Sequence, residues 1–306
     1  MADIRVSDAL TAEERDEVRA LHEAARSADG YASLGDAVWR GVESPHAEVP
    51  VRSFSARSRD GVLLAYGGLS LADNTDPPHL AAGIVVHPDA RRSDAEASLL
   101  GAMTDDTARR GGGHVIWWRA GAGDWSDATA SAHGYAAARD LLQMVVPLPP
   151  AEPARWPDGV EVRTFTPGVD DREWLRANNR AFAGHPEQGG WTQSTLDLRL
   201  REPWFDPKGF LLAFDADGLA GFCWTKIHEA EGLGEIYVIG VDPARQGRGL
   251  GRPLTVAGLQ SLAERGVNTG MLFVDAANKP AMALYVSLGF TTRRVDRAYE
   301  REVPAA

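Results

Sequence analysis

Between a stretch rich in β-branched residues and an apolar helical stretch, the chain reads Gln246-Gly247-Arg248-Gly249-Leu250-Gly251-Arg252. Glycines at a strand–helix junction let backbone N–H groups approach a phosphate at the helix N-terminus. Arg245, Arg248 and Arg252 add positive charge to the same segment. Two nucleotide-binding signatures fail here. A P-loop ends Gly-Lys-Ser/Thr, and this segment ends Gly-Arg-Pro. The dinucleotide fingerprint is GxGxxG, and this spacing is GxGxG. The plain alternative is a glycine-rich turn with a solvated arginine face, against which the flanking strand and helix weigh. Two proton-transfer groups flank the loop: Glu235, where the preceding strand begins, and Tyr285, on a short helix further on. A carboxylate can take a proton, and a phenol of ordinary pKa about 10 can give one. Each also has a plain reading, as a strand-end surface glutamate and as a packed aromatic.

The elements that must hold these groups are legible from periodicity. Glu235 to Val241 reads as a buried strand, rich in β-branched and aromatic residues. A helix is expected from about Arg252 to Glu264, a strand at Leu272 to Val274, and a short helix from Lys279 to Ser287 ended by Gly289. Upstream, Gly209 to Phe214 and Leu219 to Lys226 read as hairpin strands about the turn Asp215-Ala216-Asp217-Gly218. A helix at Asp171 to Phe182 precedes them. Thr11 to Ala25 reads as its partner, with Thr11 and Glu14 forming a capping box. Hairpins first and βαβ later predict a mixed α/β sheet.

The chain is also an internal repeat. Val86-His87-Pro88 recurs as Val241-Asp242-Pro243, Arg110-Gly111 as Arg265-Gly266, and His133-Gly134-Tyr135 stands opposite Leu288-Gly289-Phe290, all at an offset of 155. Trp117-Trp118 stands opposite Leu272-Phe273 at the same offset. Gly61 to Tyr66 is matched with Gly209 to Phe214 by its similar wording. Two copies suit a length of 306 residues, at about 150 residues per domain. The Pro-rich stretch Pro147 to Pro153 suits an extended linker.

Composition bounds the chemistry. Lys and Arg total 32 against 43 Asp and Glu, a formal charge of -11, so no global field favours nucleic acid or anionic lipid. An anionic ligand therefore needs a local basic loop. No run approaches the ~18 apolar residues of a membrane span. Met1 to Leu10 alternates charged and apolar residues, so no signal peptide is expected. One cysteine, Cys223, excludes an intrachain disulfide and fits a reducing, cytoplasmic setting; it reads as a buried strand residue. The eight histidines form no HExxH, there is no CxxC, and no metal site is expected.

Val241-Asp242-Pro243, the loop Gln246 to Gly251, and Asn278 with Ala281, Tyr285 and Leu288-Gly289-Phe290 together resemble the GNAT acetyltransferase superfamily. The resemblance implies an α/β (α+β) fold of two tandem domains, each a mixed, mostly antiparallel sheet flanked by helices. Residues 1–148 would be a degenerate copy and residues 154–306 the catalytic one. It implies acetyl-CoA as co-substrate. Gln246, Gly247, Arg248, Gly249, Leu250, Gly251 and Arg252 would hold the pyrophosphate, and Ile239, Gly240 and Val241 the pantetheine arm. Asn278, Lys279, Pro280, Ala281, Met282 and Ala283 would form a second CoA-contacting segment. The fused copies, with His185 to Trp191 and Gly232-Leu233-Gly234-Glu235, resemble the mycothiol synthase family. That implies a small-molecule acceptor, the cysteine amine of a cysteinyl-glucosaminyl-inositol (a cysteinyl pseudodisaccharide), and a monomer.

Acyl transfer to an amine needs a base for the ammonium, donors for the thioester oxygen and an acid for the leaving thiolate. The resemblance assigns Glu235 as base, Tyr285 as acid, and a backbone N–H near Ile239 to Val241 as oxyanion donor. It assigns Asp36, Glu187, Lys226, Glu235 and Phe273 to the acceptor; Phe273 stands where the family tends to have a tyrosine. His185 and Asp275 are weaker acceptor candidates, and Trp191 is expected to pack its loop. Subtracting 155 maps Glu235 to Leu80, Tyr285 to Ala130, and the glycine loop to Arg91-Arg92-Ser93-Asp94-Ala95-Glu96. The first copy thus lacks base, acid and glycines. By resemblance it would still meet acetyl-CoA through Ile84, Val85, Val86, Arg91 and Arg92, with Asp94 and Glu96 opposing phosphate. Two other functions remain open at this level: an acetyltransferase for a peptide, antibiotic or polyamine, and a non-catalytic acyl-CoA binder. A polyamine enzyme would favour an acidic site without Lys226, and a binder would not need Glu235 with Tyr285.

Overall fold

The computed structural model describes residues 2–43, 50–73, 77–91, 93–184 and 188–306. They form two compact units, Met1–Leu141 with Arg294–Ala306, and Leu142–Arg293.

The first unit opens with strand β1 (Asp3–Ser7) and helix α1 (Ala12–Asp29). Thr11 caps α1: its hydroxyl accepts from the Glu14 N–H at 3.2 Å, and the Glu14 carboxylate accepts from the Thr11 N–H at 2.8 Å. Helix α2 (Asp36–Glu43), strands β2 (Val51–Arg57), β3 (Leu63–Asp73) and β4 (His79–Val86), helix α3 (Ala95–Arg109), strand β5 (Gly113–Arg119) and helix α4 (Asp124–Ala132) follow, and strand β6 (Ala136–Pro147) runs across the boundary into the second unit. The second unit runs through β7 (Glu161–Thr164), α5 (Asp171–Ala181), α6 (Gln193–Leu200), β8 (Phe210–Asp215), β9 (Gly218–His228) and β10 (Leu233–Val241). It continues through α7 (Gly251–Glu264), β11 (Thr269–Asp275) and α8 (Lys279–Ser287). Strand β12 (Thr291–Val303) closes the chain.

Strand order is β1-β2-β3-β4-β5-β12 in the first unit and β6-β11-β10-β9-β8-β7 in the second. Among the described register pairs, β4–β5 and β10–β11 are parallel and the other pairings antiparallel. The two final strands are exchanged relative to the sequence repeat. Tyr299 and Val303 of β12 pack into the core of Leu99, Met103, Val115 and Trp117. Met144 and Val146 of β6 pack with Ile236, Leu259 and Leu272. The sequence-based boundaries 1–148 and 154–306 therefore do not coincide with the compact units. Either strand presents an alternating face that either core can bury, so the pattern does not specify which core takes it.

The offset of 155 holds through most of each unit. It relates β3 to β9 end to end, and the one-turn helix Pro88–Ala90 to Pro243–Arg245. The matching of Gly61 to Tyr66 with Gly209 to Phe214 is overturned. Leu63 lies on the second strand of its hairpin, pairing with Arg57, whereas Phe210 lies on the first, pairing with Trp224. Similar wording on the two strands of a hairpin produced the false match. The pairing of Trp117 with Leu272 slips by one: Ile116 pairs with Ala81 where Leu272 pairs with Ile236.

Candidate active site

Strand β10 carries the candidate base and leads to the loop. It pairs antiparallel with β9 along its length, from Leu233↔His228 to Val241↔Gly221, with a bulge at Tyr237. Its parallel pairing with β11 covers only Gly234↔Gly270, Glu235↔Met271 and Ile236↔Leu272. Beyond Ile236 the two strands part. The described β10–β11 ladder thus stops before Ile239 to Val241, the stretch of strand that leads into the loop. Ile239 and Val241 are partly buried there, packed with Leu250, Ala281, Met282 and Tyr285.

The loop follows. The Asp242 carboxylate, 2% exposed as a residue, accepts from the Ala244 N–H at 2.9 Å and so caps the turn into it. Arg180 reaches the same oxygen at 3.0 Å and Arg245 at 3.4 Å. Gly247 and Gly249 adopt φ of 77° and 79°, and a Cβ at either would stand in open space. The backbone there is left-handed and uncovered, the arrangement a phosphate cradle needs. The three arginines differ. Arg245 is held by Asp215 at 3.3 Å and Asp242, so it serves the fold rather than a ligand. Arg248 is exposed, with a loose 3.7 Å contact to Asp215. Arg252 donates to the Ser287 hydroxyl at 3.0 Å while remaining half exposed. Across the opening, the Asn278 side chain accepts from the Ala281 N–H at 3.2 Å and caps α8, with Lys279 and Pro280 in its first turn.

Tyr285 projects from α8 into the core of Ile236, Leu250, Leu272 and Phe290. Burial pushes its hydroxyl up to about 12. It is 7% exposed, and its ring lies 5.6 Å from that of Phe290. The phenol thus shares one buried cluster with Ile236 of β10 and Leu250 of the loop. Cys223, in the same cluster, is fully buried and likewise pushed up to about 12, which removes it as a nucleophile.

Glu235 is 8% exposed. It stands directly across the ladder from Lys226. The two do not form an ion pair. The Lys226 ammonium lies over the Trp204 ring at 4.8 Å and the Tyr237 ring at 5.9 Å. The partner of Glu235 is His228, whose Nε2 lies 2.7 Å from Oε2. Sequence reasoning missed His228, Trp204 and Tyr237. His228 is separated from Glu235 by a hairpin turn, and only the strand register brings them together.

The other expected residues divide as follows. Phe273 on β11 is partly buried. Asp275 caps the following turn, accepting from the Ala277 N–H at 2.7 Å. Trp191 is buried against Trp174, at 5.6 Å between rings, and packs its loop. His185, Glu187 and Arg92 lie outside the described residues, as does the side chain of Asp36. In the first unit, Leu80 pairs with Leu71 and Val115, and Ala130 is buried in the core. Ile84 and Val85 are buried and Val86 half-buried. Arg91 is paired with Asp29 at 2.6 Å, and Glu96 is buried against Arg119 at 2.9 Å. Asp94 precedes α3 without a side-chain capping bond. A cavity of about 700 Å³ runs along α5 past Arg172, Arg176 and Arg180; neither Glu235, Tyr285 nor the glycine loop lines it.

Residues 172–290 match the acetyltransferase (GNAT) family. The chain is 44% identical to the mycothiol acetyltransferase of Thermomonospora curvata over 304 residues, 97% of each chain. It is 44% identical to that of Mycobacterium sp. (strain JLS) over 306 residues, 98% of each chain. Among solved structures, a GCN5-related N-acetyltransferase from Sphaerobacter thermophilus superposes with a TM-score of 0.74 at 23% identity, covering 99% of this chain and 96% of that one. A tandem GNAT protein from the clavulanic acid biosynthesis pathway gives 0.73 at 16% identity over all of both chains. Those two likenesses bear on the fold alone. On that fold, the family match and the full-length relatives make the chain a GNAT protein, an acetyl-CoA-dependent N-acetyltransferase. Within that class the chain belongs to the mycothiol acetyltransferase family.

Proposed function

We propose that the second unit transfers acetyl from acetyl-CoA to the cysteine amine of cysteinyl-glucosaminyl-inositol, the last step of mycothiol formation. The observation that carries this reading is the open glycine loop at the end of a strand whose described pairing with β11 ends at Ile236. Backbone N–H groups of Gln246 to Arg252, with Arg248 and Arg252, hold the pyrophosphate; Ile239 to Val241 pair with the pantetheine arm and supply the oxyanion donor. Asn278 to Ala283 line the second side. Glu235 takes the proton of the acceptor ammonium, and Tyr285 donates to the sulfur as it leaves. Lys226 and Phe273, with Glu187 and Asp36, bind the acceptor. The ring of Phe273 offers stacking surface but no hydroxyl bond.

Leu80 can accept no proton and Ala130 can donate none, so the first unit does not turn over. The engaged Arg91 and the acidic Asp94 leave Ile84, Val85 and Val86 as its remaining family-type positions for acetyl-CoA. The acceptor chemistry and the single free thiol suit a cytoplasmic monomer acting on a small molecule, with no nucleic-acid or membrane partner.

The loop assignment is tested by Gly249→Glu, which puts bulk and negative charge where the pyrophosphate approaches. Acetyl-CoA affinity measured by calorimetry falls at least tenfold, on the order of the 1.4 kcal/mol a single misplaced charge readily exceeds. Unchanged affinity in a folded variant removes the site from this loop.

A further inference from the structure

We propose that His228 is a positioning residue for Glu235. The inference rests on the reading of Glu235 as the base and assigns it a partner. In the β9–β10 ladder, Leu233 pairs with His228 and Glu235 with Lys226. Side chains two apart share a face of a sheet, so Lys226, His228 and Glu235 all project to one side. Glu235 is diagonal to His228, a separation that long side chains span. They do span it: Nε2 and Oε2 are 2.7 Å apart, the length of a strong bond to a carboxylate. Lys226, the direct neighbour, is turned onto Trp204 and Tyr237 instead. Among the described residues His228 is the only side chain that hydrogen-bonds Glu235.

A glutamate has three side-chain torsions, and a base that must meet an amine at hydrogen-bond distance loses rate when they are free. The imidazole Nε2–H fixes Oε2 and leaves Oε1 to face the acceptor. The His228 side chain is 24% exposed and that of Glu235 11%, so the clamp sits at the solvent side of a nearly closed carboxylate. The partner of Glu235 thus comes from the turn end of the same hairpin, and a shift of register there would release it.

A double-mutant cycle in the full-length chain tests this, read as kcat/KM for the cysteinyl pseudodisaccharide at saturating acetyl-CoA. His228→Leu lowers kcat/KM on the order of 10²-fold, the cost of a small misplacement, with acetyl-CoA affinity unchanged. His228→Gln, which keeps an N–H donor at similar reach, recovers at least tenfold of that loss. In a Glu235→Gln background, His228→Leu costs nothing further, because the group it served is gone. Equal losses from His228→Leu in both backgrounds would mean a merely structural histidine and would overturn the proposal while leaving Glu235 as base. So would a Gln variant no better than Leu. If Glu235→Gln itself keeps wild-type turnover, the base reading falls, and the proposal with it.

Discussion

At the scale of single residues, the environment of Tyr285 decides what its hydroxyl can do. Burial among Ile236, Leu250, Leu272 and Phe290 penalises the phenolate and raises the hydroxyl from the usual 10 to about 12. The same apolar surroundings penalise a departing thiolate, so a donor kept protonated there is well matched to it. The sign follows: a phenol donates only while it carries its proton, and here it does so at every pH below about 12. Tyr285→Phe therefore lowers kcat on the order of 10²-fold, typical of an acid–base group, and the ratio of wild type to variant stays constant from pH 7 to 10.5. Steady-state kinetics of both proteins over that range check it. A ratio that collapses toward one with a midpoint near 10 would show an ordinary phenol and contradict the burial argument. Tyr285 and Glu235 could be singled out in the sequence from the motif and the strand around the glycine loop, and their roles are part of our proposal. His228 could not, since its contact with Glu235 depends on hairpin register, and the ion pairs of Arg245 with Asp215 and Asp242 join it to residues that its run of arginines does not indicate.

Elements were legible where their boundaries are local. Thr11 with Glu14, and the helix Lys279 to Ser287 ended by Gly289, are set by neighbouring residues, and the structure has them in place. The exchanged strands were not legible, because β6 and β12 each alternate in a way that suits either sheet. Tyr299 shows which core β12 serves. It is 1% exposed, its ring lies 5.2 Å from that of Trp117, and its hydroxyl donates to Asp127 at 2.5 Å. Arg297 completes the same contact, with Asp127 at 2.7 Å and Asp140 at 2.6 Å. Tyr299→Ala is expected to cost about 3–5 kcal/mol, the range for truncating a buried aromatic. Hydrogen exchange should show the loss in β5, Gly113–Arg119, and not in β10, Leu233–Val241. Loss of protection in β10 with β5 intact would return the last strand to the second unit.

For the whole molecule, duplication has separated chemistry from scaffold. Both units keep the pair of parallel strands that part, β4 from β5 and β10 from β11, with register pairs ending at Ala82 and Ile236. Only the second has a carboxylate and a phenol beside that opening, and only it has left-handed glycines in the loop beyond. Leucine, alanine and a loop without glycine stand in the first. Family membership makes the chain an acetyltransferase; we propose that the second unit alone carries the transfer, and the acceptor is the part of that claim with most to lose. The direct measurement is CoA release by the intact protein with acetyl-CoA and a panel of amines: cysteinyl-glucosaminyl-inositol, free cysteine, a peptide N-terminus, a polyamine and an aminoglycoside. The expected result is kcat/KM for the cysteinyl pseudodisaccharide at least 10²-fold above every other amine, since a site that hydrogen-bonds substrate hydroxyls strongly rejects acceptors lacking them. Mass spectrometry then finds the acetyl on the cysteine nitrogen. Preferred acetylation of any other amine in the panel, or no release of CoA with the pseudodisaccharide, would contradict it.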